Sequence, residues 1–280
     1  MKLIENGLTN AALEALVRMQ GMEIDTHRDP RVLNALLQEK WVKAKEGVFR
    51  AQLGGRFPTE EEMALLRQLG ADAIPIDFDV EYNGTLLLGA TLKAVTRRMW
   101  FMNVEECRTD FRLQVPQPLY FLGSRRPLDS KQEMPEHVPA ILEEVGTQFI
   151  KQWLEDRDAD DWPQHETAVM NRVQYWLGIR RWERVCVLAP DVQKTDGTMR
   201  SANTAETVKE WLTRVQPGHY IIVSSQPFCE NQKMAVERAV KEVGVGGYSF
   251  DVCGPAAPPL PLSRWLDNLA KQLWEEVQLL

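Results

Sequence analysis

Four groups of small, polar and cationic residues have types that suit the binding of a small anion, and three of the groups directly follow a short apolar run. The groups are Gly89, Ala90 and Thr91; Gly123, Ser124, Arg125 and Arg126; Ser201, Asn203 and Thr204; and Ser224, Ser225 and Gln226. Glycine lets a ligand approach the backbone closely, and guanidinium groups bind phosphate or carboxylate through paired hydrogen bonds. The pattern therefore predicts one shared anion-binding site.

Each group also has a plainer interpretation that the sequence leaves open. Thr91, Asn203 and Thr204 are typical of helix starts, where their side chains cap free N–H groups. Serine and glutamine after an apolar run, as at 224–226, are typical of turns. Arg97 and Arg98 lie two turns into a predicted helix, so they belong either to a solvated helix face or, for one of them, to the strand ends.

Motifs that would fix a reaction are absent from the sequence. There is no G-x-G-x-x-G or P-loop, no H-E-x-x-H or G-x-S-x-G, and the four cysteines lack zinc-site spacing. His165 beside Glu166 suits either an acid/base pair or a helix cap. Cys186 and Cys253 lie in apolar runs and are predicted to be buried. The catalytic residues and any cofactor stay unidentified, and no metal site is predicted.

The elements that must position these residues are predicted from their spacing. Five apolar runs, each followed by small or polar residues, predict strands at 85–88, 119–122, 185–188, 220–223 and 250–253. Amphipathic segments between them predict helices, and alternation of the two is typical of βαβ units. We therefore expect a three-layer, Rossmann-like α/β domain with a mainly parallel five-stranded sheet. Ligands of such sheets bind at the carboxyl ends of the strands.

The first eighty residues have a different pattern. A weak helix is predicted at about 9–20, Asp29 before Pro30 predicts a second helix start, and Thr59 with Glu62 predicts a capping box. We expect an N-terminal helical segment at 1–80 and the α/β domain at 81–280, with a long insertion at about 130–180. The acidic stretch at 155–161 is predicted to be a solvated loop.

Composition excludes several classes of protein. The net charge of −7 argues against broad nucleic-acid binding. No apolar run approaches the roughly 18 residues of a membrane span, and the N-terminus lacks the apolar core of a secretory signal. We expect a soluble cytoplasmic protein without nucleic-acid or membrane partners.

The order of the motifs resembles that of the SanA/ElyC/YdcF-like family of domains of unknown function. The resemblance covers about residues 80–280 and rests on the runs LLGAT with Arg97 and Arg98, FLGSRRPLD, Glu166, ANTAETV and VSSQPF. It implies a Rossmann-like fold, a pocket at the strand ends and an unsettled activity, with S-adenosylmethionine or another nucleotide-like ligand as an implied cofactor. The positions that it implies for the pocket are Gly89, Arg97, Gly123, Glu166, Asn203, Thr204 and Ser224.

The chain departs from this family in two ways. Relatives linked to the cell envelope usually begin with a membrane anchor, which this N-terminus does not resemble. Gln226, Pro227, Phe228 and Gln232 stand where relatives often have histidine and arginine. Three hypotheses therefore stay open: binding of a small phosphate- or nucleotide-bearing anion with transfer or hydrolysis, binding of S-adenosylmethionine, and a non-catalytic module that binds another protein.

Overall fold

The computed structural model describes residues 2–23, 29–42, 53–131, 133–146 and 162–280. The acidic stretch at 155–161 lies outside these residues, so its prediction as a loop is untested. The described strands are β1 (Ile4–Glu5), β2 (Leu8–Thr9), β3 (Thr85–Leu88), β4 (Leu119–Ser124), β5 (Arg184–Ala189), β6 (Val192–Gln193), β7 (Met199–Arg200), β8 (His219–Val223) and β9 (Ser249–Cys253).

The described α-helices alternate with these strands in the second part of the chain. They are α1 (Ala11–Met19), α2 (Pro30–Lys40), α3 (Glu60–Gln68), α4 (Leu92–Arg108), α5 (Val138–Glu143), α6 (Glu166–Trp176), α7 (Thr204–Leu212), α8 (Cys229–Val243) and α9 (Leu262–Leu279). A 3₁₀ turn, Pro135–His137, leads into α5. The five predicted strands are confirmed to within two residues at each end.

The central sheet has five strands, all parallel, in the order β5-β4-β3-β8-β9. Numbered by their succession along the chain, these strands lie in the order 3-2-1-4-5, which is the Rossmann order. The direction of winding therefore reverses between β3 and β8. The predicted three-layer, Rossmann-like fold is confirmed.

Alternate residues of the strands face different helices, as the pleat of a strand requires. Leu87 and Phe121 are register partners and share a buried core with residues of α4, α5 and α6, among them Met99 and Met170. On the opposite face, Trp211 of α7 packs edge-on against neighbouring strand tyrosines, with 4.9 Å between its ring centroid and that of Tyr220. These contacts place helices on both faces of the sheet.

The chain divides into two compact units, one comprising residues 1–73, 226–238 and 256–280 and the other 74–225 and 239–255. The second unit holds the sheet. In the first, α9 packs against α2, and Leu37 and Leu273 are fully buried in one core. The sequence-based division at residue 80 assigned α9 to the sheet domain. In the structure, the apolar face of α9 shares a buried core with the N-terminal helices.

Local signals placed the helix starts of the first unit correctly. Asp29 accepts a hydrogen bond from the N–H of Arg31, with Pro30 as the first helical residue. The Thr59 and Glu62 side chains form the predicted capping box of α3. Both confirm predictions that needed only a few residues of sequence.

The prediction that Cys186 is buried was wrong. Its side chain is exposed and its thiol donates to Asn171 Oδ1 at 3.3 Å, whereas Cys253 is buried as expected. Cys186 lies on β5, which is at the edge of the sheet formed by the described strands and pairs there with β4. An apolar run in the sequence does not distinguish an edge strand from a central one.

Among the helices of the described ranges, none combines the length and the apolar character needed to cross a bilayer.

Candidate functional site

The candidate site lies at the carboxyl ends of β3, β4 and β8, around the point where the winding of the sheet reverses. Open parallel sheets bind their ligands in the crevice at this point, because the loops that follow adjacent strands diverge there. Most of the sequence-predicted residues follow these three strands. The structure brings them together in two clusters, one around Glu166 and one around Arg98.

The first cluster is built on the start of α6. Glu166 is the first residue of this helix, and its Oε2 accepts hydrogen bonds from both the backbone N–H and the hydroxyl of Ser124, each at 3.0 Å. His165 caps the helix by accepting from the Ala168 N–H through Nδ1. The structure therefore favours the capping interpretation of His165, and the neighbouring carboxylate points back to the strand ends.

Gly89 and Gly123 both allow a close approach to the backbone, and in the structure α6 makes that approach. A Cβ atom added to Gly89 would lie 2.5 Å from the Glu166 carboxylate, and one added to Gly123 would collide with Thr167 Oγ1. The sequence identified the two glycines but not their neighbours. The space beside them is filled by the protein's own side chains.

Arg126 connects Glu166 to a second carboxylate, Glu133. Its Nη1 and Nη2 donate to the two oxygens of Glu133 at 2.7 and 3.0 Å, and its Nε lies 3.5 Å from Glu166 Oε1. Burial acts to lower the pKa of Arg126, but hydrogen bonding and attraction to the two carboxylates outweigh it and raise the pKa above the ordinary value. Arg126 is therefore a permanent cation already held by internal anions.

Glu133 was missed by sequence reasoning and is fully buried. Its carboxylate accepts from the backbone N–H groups of Leu92 and Asp129, both at 2.8 Å. Leu92 is the first residue of α4, the helix that follows the first strand of the sheet, and its start is where Rossmann proteins hold phosphate. Thr91 occupies the cap position but makes no side-chain cap hydrogen bond. Glu133 supplies an internal anion there instead.

The second cluster places Arg98, rather than Arg97, at the strand ends. Arg98 is 4% exposed; its Nη1 donates to the Leu88 carbonyl at 2.6 Å, and its Nε and Nη2 contact the hydroxyls of Ser225 and Ser224 at 3.1 and 3.4 Å. Arg97 instead pairs with Glu144. The guanidinium of Arg98 thus spans the ends of β3 and β8.

A signal for Arg98 was present in the sequence. It lies three residues after Val95 and four before Met102, both fully buried on α4. Residues at these spacings share one face of a helix. The stripe of apolar residues on α4 therefore points Arg98, and not its neighbour, towards the sheet.

The remaining candidates have separate surroundings. Asn203 and Glu206 form a capping box at the start of α7, and Thr204 is the first residue of that helix. The contacts of Asn203 within the described ranges stay at this helix start. Gln226 belongs to the first compact unit and is 2% exposed, and its Nε2 has no hydrogen-bond partner among the described residues.

Arg125 differs from the other arginines of the site. It follows β4 directly and is exposed, and within the described ranges it has no hydrogen-bond or ion-pair partner. Its neighbour Arg126 is already paired with the carboxylate of Glu133. Among the described residues of this site, Arg125 is therefore a cation that is available to an external anion.

The described residues contain no group of three or more histidine, cysteine, aspartate or glutamate side chains arranged to hold a metal ion. Comparisons of the chain with protein-family models, curated proteins and solved structures found no match. The resemblance to the SanA/ElyC/YdcF-like family stays a prediction. The site must therefore be interpreted from its own geometry.

Proposed function

We propose that the protein binds a small anionic ligand, bearing a phosphate or a nucleotide, at the carboxyl ends of β3, β4 and β8. The observation that carries the proposal is the placement of Arg125, exposed and without a partner in the described ranges, at the strand ends of a sheet with the 3-2-1-4-5 order. An exposed guanidinium can bind phosphate oxygens through two parallel hydrogen bonds.

The surrounding residues have distinct roles in this proposal. Arg98 holds the hydroxyls of the buried Ser224 and the half-buried Ser225 at the point where the winding reverses, so that these groups have fixed orientations there. Glu166, fixed by Ser124, is the carboxylate that would orient a water molecule or hydroxyl for hydrolysis or group transfer on the bound ligand. Arg126 and Glu133 keep this carboxylate in place.

A second candidate function is a non-catalytic module that binds another protein. One observation favours it. The spaces beside Gly89 and Gly123 are filled by Glu166 and Thr167, and the anion position at the start of α4 is taken by Glu133. These positions therefore need no small ligand to complete them.

Titration calorimetry with inorganic phosphate, pyrophosphate and a panel of nucleoside phosphates tests the first proposal. We expect binding of at least one of these anions, and a loss of affinity of about tenfold or more in Arg125→Ala, because a charge-assisted hydrogen bond contributes about 1.5–3 kcal/mol. Arg112→Ala is the matched control, since Arg112 is also exposed but precedes β4 instead of following it.

The two candidates predict different results. Binding that Arg125→Ala weakens and Arg112→Ala leaves unchanged supports the anion site. An absence of binding across the panel, or equal affinities in all three proteins, contradicts it and leaves the interaction module as the better interpretation.

A further inference from the structure

A cleft of about 550 Å³ lies along the flank of α6 that faces away from Glu166, within the range of small-molecule sites. His165, Ala168, Asn171 and Tyr175 line it at intervals of three or four residues, so they form one stripe along the helix. The opposite stripe of α6 is buried in the core of the sheet unit. The open flank is therefore not needed for the packing of the helix.

Aromatic side chains line the cleft. Trp162 stacks on the buried ring of Trp176, with 5.8 Å between centroids and 24° between planes. Tyr175 is 45% exposed, although tyrosine rings tend to be covered in folded proteins. The exposed ring of Tyr175 and the stacked indole of Trp162 suit a flat ligand that stacks on aromatic side chains. Stacked faces exclude water, and stacking does not require a particular set of polar groups on the ligand.

The polar side chains that line the cleft are Gln164, His165, Asn171 and Arg172. His165 Nδ1 accepts the Ala168 N–H, so the proton of the neutral ring is on Nε2, which is left to donate. Gln164 donates its amide N–H to the Trp162 carbonyl at 2.8 Å, which fixes its side chain. A flat ring with donors and acceptors on its edge matches this lining better than an aliphatic chain does.

The cleft adjoins the segment that carries Arg125. Pro127 forms an isolated antiparallel bridge with His165, and the Glu166 N–H donates to the Arg126 carbonyl at 3.2 Å. Arg125 lies two residues before Pro127, which is roughly 7 Å of extended chain. The segment that carries Arg125 is therefore joined by its backbone to the start of α6, where the cleft begins.

We propose that this cleft binds the base of a nucleotide whose phosphate is bound by Arg125. The inference rests on the proposed function only for the binding of the phosphate by Arg125. The shape and lining of the cleft are independent of that proposal. It narrows the ligand from any small anion to an anion that carries a flat heteroaromatic ring.

Calorimetry of the full chain tests the inference with adenosine, guanosine, cytidine and uridine, their 5′-monophosphates, and inorganic phosphate. We expect at least one monophosphate to bind about tenfold or more tightly than phosphate. Tyr175→Ala should weaken that nucleotide about tenfold through the loss of stacking and leave phosphate binding unchanged. Tyr175→Phe, which keeps the ring, should bind like the wild type.

A second variant tests the cleft independently of Tyr175. Ala168→Phe places a ring in the cleft itself and should reduce nucleotide binding in the same way. Phe57→Ala is the control for loss of an exposed aromatic residue, since Phe57 is 60% exposed and belongs to the other compact unit. It should leave nucleotide binding unchanged.

The nucleosides separate failure of the inference from failure of the proposed function. If nucleosides bind and Tyr175→Ala weakens their binding, the cleft is supported. If Arg125→Ala has no effect in the same experiments, only the proposed phosphate site is contradicted. Phosphate binding that depends on Arg125, with no preference for nucleotides and no effect of Tyr175→Ala, overturns the inference and keeps the anion site. Absence of binding for every compound overturns both.

Discussion

Two buried carboxylates, Glu62 in the first compact unit and Glu133 in the second, have nearly the same chemical surroundings. Each binds both terminal nitrogens of an arginine, Arg56 for Glu62 and Arg126 for Glu133, and each accepts hydrogen bonds from backbone N–H groups at or near a helix start. They differ in where those N–H groups come from. Glu62 accepts from the N–H of Thr59, three residues away, whereas Glu133 accepts from the N–H of Asp129, four residues away, and from that of Leu92, 41 residues away.

This difference determines what each pair does for the fold. The backbone contact of the Glu62 pair is local in sequence and stabilises the start of one helix, and the side chain of Gln20, 42 residues away, also donates to Glu62 Oε1 at 2.7 Å. The Glu133 pair holds the loop after β4 against the start of α4, and through Arg126 it also reaches Glu166. We therefore expect the second pair to matter more for stability, and also for the geometry of the candidate site.

The largest expected effect is that of Glu133→Ala. Arg126 has only 18% of its side chain exposed and would lose its bidentate partner, and removing one member of a buried pair typically costs about 3–5 kcal/mol. The free energy of unfolding in urea measures the loss. Glu144→Ala is the control, because Glu144 also binds two cations but is 35% exposed, so its removal should cost no more than about 1 kcal/mol. Equal losses in the two variants would contradict the expectation that the buried Glu133 pair contributes more to stability than a partly exposed one.

The same contrast explains what the sequence could and could not predict. Apolar runs placed the strands, and the Thr59–Glu62 spacing placed a cap, because both signals lie within a few residues. Glu133 carried no such signal, since its partner Leu92 becomes a neighbour only when the chain folds. The partners of Gly89 were hidden for the same reason, whereas the helical spacing of Arg98 was an available signal.

Gly89→Ala tests whether packing at the strand ends is as tight as the contacts indicate. The new Cβ would lie 2.5 Å from the Glu166 carboxylate, and overpacking of this kind costs about 1–3 kcal/mol. We expect the loss to shrink when Glu166→Ala is combined with it, which a double-mutant cycle of unfolding free energies measures. Gly246→Ala is the control, because no atom lies within 4 Å of its added Cβ. Strict additivity of the two changes would show that the contact is not made.

The Glu62 pair is expected to respond to pH. Hydrogen bonding by Arg56 is the main cause that lowers the pKa of Glu62 to about 2, from 4.5. A lowered pKa in the folded state adds stability that is fully present above about pH 4.5 and is lost as the pH falls towards 2. The stability difference between the wild type and Glu62→Gln should therefore narrow over that range. The loss of stability in Glu62→Gln should be smaller than the loss in Glu133→Ala, because Arg56 is 55% exposed. A stability difference between the two proteins that stays constant down to pH 2 would exclude the lowered pKa of Glu62 as its cause.

The smallest expected effects distinguish the two helix starts themselves. Thr59 Oγ1 accepts the Glu62 N–H at 3.2 Å, so Thr59→Ala should cost about 1 kcal/mol, the usual contribution of a cap. Thr91 holds the same position before α4 but makes no side-chain cap hydrogen bond, and Glu133 already accepts the Leu92 N–H. Thr91→Ala should therefore change the free energy of unfolding by no more than about 0.5 kcal/mol. Equal losses of stability in the two variants would show that the start of α4 is capped by Thr91 and not by the carboxylate of Glu133.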